Sequence, residues 1–192
     1  MSHDPDRFEH VEVHSADALW QWMAAHFAQE EAIWLVTWKA AHADKYVSRD
    51  AVLDVLVAYG WVDGRRMKLD DDRTMQLLAP RKAQTWAQSY KDRAERLEAE
   101  GLMREPGRAA IARAKTAGKW NAMAHVDALE EPADLVDALL ARKANSWWDS
   151  AAASYRRNIL RWIAGAKRDE TRAKRILTVC DHAERGEKVP HY

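Results

Sequence analysis

The chain of 192 residues contains a single cysteine, which excludes an internal disulfide and any metal site made only of thiolates. Glycine (7 residues) and proline (5 residues) are scarce, so a collagen-like or loop-dominated protein is excluded. No apolar run reaches the length of about 18 residues that a transmembrane helix needs. The first residues, Met1 to Arg7, are polar and predict no secretory signal, so we expect a cytoplasmic protein.

Net charge is also lacking, because 30 Lys and Arg residues balance 30 Asp and Glu residues. The two signs are nevertheless segregated along the chain. Acidic residues prevail over 1–63 and 120–155, and basic residues prevail over 64–119 and 156–192. This pattern indicates either a basic face for an anionic partner or packing of acidic segments against basic ones. The neutral total favours the second interpretation, since it gives no long-range attraction to a polyanion.

Familiar catalytic and nucleotide-binding motifs are missing: the chain has no GxSxG, no P-loop, no GxGxxG and no HExxH. His10, Glu12 and His14 alternate and would share one side of a strand. Exposed residues of an edge strand explain that pattern without a metal, so we predict no metal site and no cofactor. The absences lower the expectation of an enzyme without excluding a reaction of unfamiliar type.

Tryptophan, in contrast, is abundant. Ten tryptophans imply either a large aromatic core or an exposed aromatic surface. Hydrophobic residues make up 47% of the chain and charged residues 31%, which is typical of a globular protein and excludes disorder throughout.

The first half of the chain has a mixed α and β pattern. Ser15 and Ser48 are predicted N-caps of two amphipathic helices. The run 32–39 (AIWLVTWK) predicts a buried strand, and the segments 61–69 and 74–79 predict two strands joined by a turn. Gly60 is expected to end the helix that Ser48 begins.

From Thr85 onwards the periodicity is helical. The capping-box pattern of Thr85 and Gln88 predicts the start of one helix, Pro132 that of another, and Ser154 and Asp169 are predicted N-caps of the last two. Apolar positions in these last helices are predicted to face a core: Leu135, Leu139, Leu140, Ile159, Leu160, Ile163, Ile176, Leu177 and Cys180.

These patterns predict an α+β protein with a small antiparallel or mixed sheet, flanking helices and a C-terminal helical module. We place an α+β body at 1–120 and the helical module at 121–192, and we expect the two to pack as one unit.

Four short runs carry a family resemblance. In chain order they are Tyr59 to Gly64 (YGWVDG), Ala79 to Lys82 (APRK) followed by Thr85 and Trp86, Lys91 to Ala94 (KDRA), and Ala166 to Ile176 (AKRDETRAKRI). Together they resemble the bacterial YdeI/OmpD-associated family of bacteriocin-protection proteins, over about Ser15 to Arg185. The resemblance implies a cytosolic protein with a YjbR/CyaY-like α+β body, linked to stress and to tolerance of bacteriocins and cationic antimicrobial peptides. It implies no known reaction and no catalytic residue.

The first candidate site lies where the strands lead into the helical part, and it comprises Trp61, Asp63, Arg81, Lys82 and Trp86. Arg81 and Lys82 would contact an anionic group while Trp61 and Trp86 stack on a planar one. This hypothesis requires a cleft in which Arg81 and at least one of the two tryptophans are partly exposed. The alternative is an ion pair of Asp63 with Arg81 beside core tryptophans, which is the commoner arrangement. A catalytic site, if present, would centre on Asp63.

The second candidate site is a basic set near the C-terminus, formed by Lys167, Arg168, Arg172 and Arg175. On one continuous helix, the three arginines would share a face that follows nucleic-acid phosphates. A helix that begins at Asp169 would leave Arg168 outside that face, and a solvated or internally paired surface is the more ordinary interpretation. The expected partner is therefore a small anionic or planar ligand or a protein, with nucleic acid as the less favoured alternative. The sequence predicts no oligomeric state.

Overall fold

The structure is a computed structural model that describes residues 7–82 and 84–190. Contacts between Cα atoms divide the chain into two compact units, Met1–Asn121 and Ala122–Tyr192. Over the described ranges, no helix combines the length and the apolar character that crossing a bilayer requires.

The N-terminal unit contains, in chain order, β1 (His10–Glu12), α1 (Ala16–His26), β2 (Ile33–Trp38), α2 (Arg49–Ala58), β3 (Trp61–Lys68), β4 (Arg73–Pro80), α3 (Gln88–Ala99) and α4 (Glu105–Thr116). The described strands form one sheet in the order β1-β2-β4-β3. β1 runs parallel to β2, and the other pairs are antiparallel, so the predicted small mixed sheet with flanking helices is confirmed. The register of β3 shifts between Asp63 and Arg66.

One face of this sheet carries the main core. Because side chains alternate along a strand, Ile33, Leu35 and Leu78 project to the same face, and all three are buried. Helix α2 contacts β3 and also α1, α3 and α4, which explains why most of its circumference is apolar and buried. Trp61 belongs to this core, where its indole N–H donates to the Phe27 carbonyl at 3.0 Å.

Local sequence signals explain the starts of the first two helices. The hydroxyls of Ser15 and Ser48 each accept a hydrogen bond from the backbone N–H three residues later, both at 3.1 Å, as predicted for N-caps. The predicted start at Thr85 is wrong, since α3 begins at Gln88. Before it, Ala87 has an extended backbone, and the Trp86 N–H donates to the Lys119 carbonyl at 3.3 Å instead of to a helical partner.

The C-terminal unit is helical, as predicted, with α5 (Ala124–Asp127), α6 (Ala133–Ala141), α7 (Asn145–Ser150), α8 (Ala153–Ala164) and α9 (Asp169–Glu184). Helix α9 packs against α6, α7 and α8, and α5 packs against α8. The core includes Leu135, Leu139, Ile159 and Cys180, all buried as predicted. Cys180 is a small core residue, and its burial raises the pKa of its thiol.

Two predicted core positions of this unit are wrong. Leu140 is 54% exposed and Leu177 is 50% exposed. Each directly follows a buried residue, Leu139 or Ile176, and one residue along a helix turns the side chain by about 100°. An apolar run in the sequence therefore extended past the edge of the buried face.

The predicted caps of the last two helices also differ from the structure. The residue that precedes α8 is Ala152, not Ser154, and the residue that precedes α9 is Arg168. Asp169 instead occupies the first turn of α9, where its negative charge complements the helix dipole.

Candidate functional site

The two tryptophans and the arginine of the first candidate site are buried, whereas its ligand-binding hypothesis requires a cleft. The exposed fraction is 1% for Trp61, 0% for Trp86 and 5% for Arg81, so the required partial exposure is not present. Lys82 is exposed, and its backbone N–H donates to the side chain of Gln84 at 2.8 Å. Ligand binding by these residues stays a prediction, and the burial of both indoles removes an open stacking surface.

Asp63 has partners other than the predicted one. Its carboxylate accepts a hydrogen bond from the Tyr90 hydroxyl and another from the Gln76 amide at 3.1 Å. Gln76 in turn accepts from Arg66 at 3.2 Å. Among the described residues, no ion pair joins Asp63 to Arg81, so the expected structural ion pair is absent. Burial and the Asp63 carboxylate raise the pKa of Tyr90 to about 12, so the phenol keeps its proton.

Arg81 is held mainly by aromatic rings. Its guanidinium carbon lies 4.2 Å from the ring centroid of Trp86 and 5.1 Å from that of Tyr90. One of its nitrogens donates to the Thr85 carbonyl at 3.3 Å. Burial lowers the pKa of Arg81, and the neighbouring Tyr90 and Asp63 oppose that shift. Tyr90 is thus a central residue that the sequence analysis did not single out.

A second tryptophan extends this cluster. The rings of Trp86 and Trp120 lie 5.1 Å apart, and the ammonium groups of Lys91 and Lys115 lie 5.6 Å and 5.2 Å from the Trp120 centroid. Trp120 also lines an open groove of about 340 Å³ between α3 and α4, here called the α3–α4 groove. The other residues that line this groove are Ala94, Glu95, Glu98, Arg108, Ile111, Ala112 and Lys115.

The basic set near the C-terminus does not form one continuous stripe. Arg172 makes a two-pronged ion pair with Asp134, with distances of 2.6 Å and 2.8 Å, and this contact lowers the pKa of the Asp134 carboxyl. Arg175 donates to the Trp162 carbonyl. Arg168 lies outside the regular part of α9, and Lys167 is exposed beside it. Nucleic-acid binding by this set stays a prediction, with two of its arginines engaged inside the unit.

A groove between α6 and α9 lies beside Arg172. This α6–α9 groove has a volume of about 560 Å³ and is lined by Asp134, Asp169, Arg172, Ala173, Ile176 and Leu177. The sequence did not indicate it, because Leu177 was assigned to the core. A tighter cavity of about 80 Å³ also borders Arg172, with Val126, Leu160 and Ile163 in its wall.

Two known families match the chain, one in each of the two compact units. Residues 11–110 match a family described as a domain of unknown function (DUF8412), and residues 128–186 match the family described as bacteriocin-protection, YdeI or OmpD-associated. Neither the curated proteins nor the solved structures include a significant match.

These matches confirm the predicted family resemblance for the C-terminal unit, which contains the AKRDETRAKRI run. The runs from YGWVDG to KDRA fall within the other match, so the resemblance is narrower than predicted. A YjbR/CyaY-like body stays a prediction. The chain thus belongs to the DUF8412 family over most of its N-terminal unit and carries a YdeI/OmpD-associated, bacteriocin-protection segment in its C-terminal unit.

Proposed function

We propose that this protein is a non-catalytic binding protein that takes up cationic, amphipathic peptide segments in the α6–α9 groove. Through this binding it contributes to tolerance of bacteriocins and other antimicrobial peptides. The observation that carries the proposal is an exposed leucine, Leu177, in a groove that also contains Asp134 and Asp169. The groove lies inside the segment that matches the bacteriocin-protection family, and this supports the biological role.

The apolar part of the groove suits aliphatic side chains. Leu177 is half exposed and its neighbour Ile176 is buried, and both contribute aliphatic surface to the lining of the groove. Leu140 on the adjoining helix α6 is exposed to a similar extent. A volume of about 560 Å³ falls within the range of about 300–1,000 Å³ that is common for ligand pockets. An amphipathic segment would cover Leu177 with its own apolar face.

The charges around the groove favour a cationic occupant. Exposed carboxylates are found along α6 and in the first turn of α9: Asp134, Asp137, Asp169 and Glu170. Arg172 neutralises part of the charge of Asp134. The exposed basic residues of the same stretch are Lys167, Arg168 and Lys174. The lining of the groove itself has two carboxylates, Asp134 and Asp169, against the one guanidinium of Arg172, and this negative excess favours cationic peptides over acidic ones.

The chemistry of the lining residues supports binding rather than catalysis. They carry carboxylates, one guanidinium and aliphatic groups, without a hydroxyl, thiol or imidazole. The carboxylate that was the candidate catalytic centre, Asp63, is engaged by Tyr90 and Gln76.

The test measures peptide binding to the full chain by calorimetry. The probe is a synthetic peptide of lysine, leucine and alanine repeats, and its matched partner has every lysine replaced by glutamate. We expect the cationic peptide to bind and the acidic peptide not to bind. The Leu177→Ser variant should lower the affinity for the cationic peptide about tenfold, because the substitution removes apolar surface whose burial contributes about 1.5 kcal/mol.

The matched control is Leu102→Ser, which changes a leucine that is 37% exposed in the N-terminal unit. It should leave the affinity unchanged. Equal affinity for the two peptides, or an equal loss in the two variants, would contradict the proposal.

A further inference from the structure

Arg172 belongs to the walls of two cavities in the C-terminal unit. One is the α6–α9 groove, and the other is the smaller cavity of about 80 Å³, here called the Arg172 cavity. The Arg172 guanidinium is fixed on α6 by its two hydrogen bonds to Asp134, at 2.6 Å and 2.8 Å, so this side chain reaches from α9 to α6. The two cavities therefore lie against the same fixed side chain, and a peptide segment in the groove has the Arg172 cavity beside it.

The deep part of the Arg172 cavity is aliphatic. Its walls contain Val126, Leu160 and Ile163, which are all buried in the core of the unit. Pro132 and Ala164 add further hydrocarbon to the lining and are half-buried. Walls of this kind offer water few hydrogen-bond partners, so the cavity favours an apolar guest.

The volume of the Arg172 cavity limits which apolar group can enter. A cavity of about 150 Å³ in another protein holds benzene, whose ring has six carbon atoms. On that scale, the volume of about 80 Å³ holds about three or four carbon atoms. This is the size of the branched side chains of valine, leucine and isoleucine, whereas a phenyl or indole ring is too large. The cavity thus selects among apolar side chains by size.

The mouth of the Arg172 cavity is polar and held in place. His125 and Glu130 are the exposed residues of its lining. The backbone N–H of Glu130 donates to the His125 carbonyl at 2.8 Å, which fixes both residues at the end of α5. Between them, Leu129 has a φ of +59°, a conformation that glycine usually takes after a helix, and its side chain packs against the core. Glu130 is thus held at the opening, where its carboxylate favours a cationic neighbour of the guest.

We propose that the Arg172 cavity is an anchor pocket for one valine, leucine or isoleucine side chain of a peptide that occupies the α6–α9 groove. This inference rests on the proposed function and narrows its substrate class to peptides with a branched aliphatic residue beside a cationic one. The aliphatic side chain enters the cavity, and the cationic side chain faces Glu130, since Asp134 already balances Arg172. A side chain enclosed in a fitted pocket contributes more to affinity than the same side chain on an open surface.

The test compares three synthetic peptides with the same lysine positions by calorimetry on the full chain. Their apolar positions are filled by leucine in the first peptide, by phenylalanine in the second and by alanine in the third. We expect the leucine peptide to bind about tenfold more tightly than the alanine peptide and about threefold more tightly than the phenylalanine peptide. An open apolar surface would rank the phenylalanine peptide first, because a phenyl group buries more area than an isobutyl group.

The Ala164→Leu variant tests the cavity separately from the groove, because Ala164 lines the Arg172 cavity and not the α6–α9 groove. The added isopropyl group occupies the cavity, so the affinity for the leucine peptide should fall about tenfold, while the affinities for the other two peptides should not change. Ala153→Leu is the matched control, since Ala153 is exposed at the start of the same helix, α8, and this variant should bind all three peptides like the wild type. Leu177→Ser, in the groove, should weaken the leucine and phenylalanine peptides alike.

Methyl NMR of the wild-type chain gives a readout that does not depend on the folding of any variant. We expect the leucine peptide to shift the methyl signals of Leu160 and Ile163 and the phenylalanine peptide to leave them unchanged.

The proposal is overturned if the leucine peptide binds without shifting these methyl signals, if the phenylalanine peptide binds at least as tightly, or if Ala164→Leu binds the leucine peptide like the wild type. In each of these cases the proposed function still stands when the leucine peptide binds and Leu177→Ser weakens it. Failure of all three peptides to bind refutes the proposed function and the anchor pocket together.

Discussion

Individual side chains around Asp63 illustrate how far residue chemistry can be anticipated. An aspartate and an arginine near adjacent strand ends suggested an ion pair, since opposite charges commonly meet. The structure instead places Tyr90 in contact with both, bonded to Asp63 and stacked under Arg81. Tyr90 belongs to a helix whose start was predicted three residues too early, and such a change of helix position alters which side chains reach a strand.

The hydrogen bond between Tyr90 and Asp63 should contribute to the stability of the fold. Tyr90→Phe removes the hydroxyl donor and leaves the half-buried Asp63 with the Gln76 amide as its described partner. We expect the free energy of unfolding to fall by about 1–3 kcal/mol. Urea denaturation measures it. Tyr46→Phe is the control, because Tyr46 is 46% exposed, and an equal loss in that variant would refute the assignment.

The same residue predicts a dependence of stability on alkaline pH. The pKa of Tyr90 is raised from 10.0 in the unfolded chain to about 12 in the fold. Its contribution is complete below pH 10.0 and is lost as the pH rises to about 12, because the unfolded chain releases the proton first. Stability measured across this window should decline more steeply for the wild type than for Tyr90→Phe. Parallel profiles would contradict the prediction.

Helices α2 and α4 approach each other closely where Gly107 of α4 lies against the C-terminal end of α2. A Cβ atom on Gly107 would lie 2.3 Å from the Ala58 carbonyl oxygen and 2.7 Å from that of Val57. Gly60, which follows α2 as predicted, has a φ of +70° and also faces α4 at Pro106. Pro106 occupies the first turn of α4, but the role of Gly107 could not be predicted from the sequence, because it depends on a neighbour 49 residues earlier in the chain.

This close approach predicts a large effect for a small substitution. Gly107→Ala should destabilise the protein by about 1–3 kcal/mol, because the methyl group meets backbone atoms that cannot move independently. Chemical denaturation followed by circular dichroism measures the change. Ala112→Ser, on the exposed side of the same helix, should stay within about 0.5 kcal/mol of the wild type. A harmless Gly107→Ala would mean that the two helices are further apart than described.

The helices of the C-terminal unit show why sequence reasoning missed a groove. Ile176 and Leu177 are both aliphatic and adjacent, so periodicity alone placed both in the core. Only the packing of α9 against α6 decides which of the two is covered. Local signals such as Ser15 and Ser48 could be predicted because each cap depends on atoms three residues away.

The whole molecule combines a mixed α/β unit and a helical unit, and this fold class follows from the sequence patterns. The candidate sites do not, because whether Trp61 or Trp86 is exposed depends on how distant segments pack around it. Charge is a whole-molecule property that the sequence does determine: the basic and acidic residues balance, and the isoelectric point is about 7.1.

This balance predicts the solubility profile. Solubility should be lowest near the isoelectric point and should rise toward pH values of about 5 and 9, where net charge keeps molecules apart. Precipitation by polyethylene glycol measures it. Lys174→Glu should move the minimum to lower pH, since it replaces an exposed positive charge with a negative one. A minimum that does not move would show that a local patch, not net charge, controls association.

The order of the strands has a consequence for self-assembly. β3 forms one border of the described sheet, and its exposed residues include Arg65, Arg66 and Lys68. A second chain that added its own β3 there would bring these like charges together, and the shifted register after Asp63 interrupts the regular ladder such an addition needs. The opposite border, β1, offers only 3 residues. The sheet is therefore protected against growth into filaments.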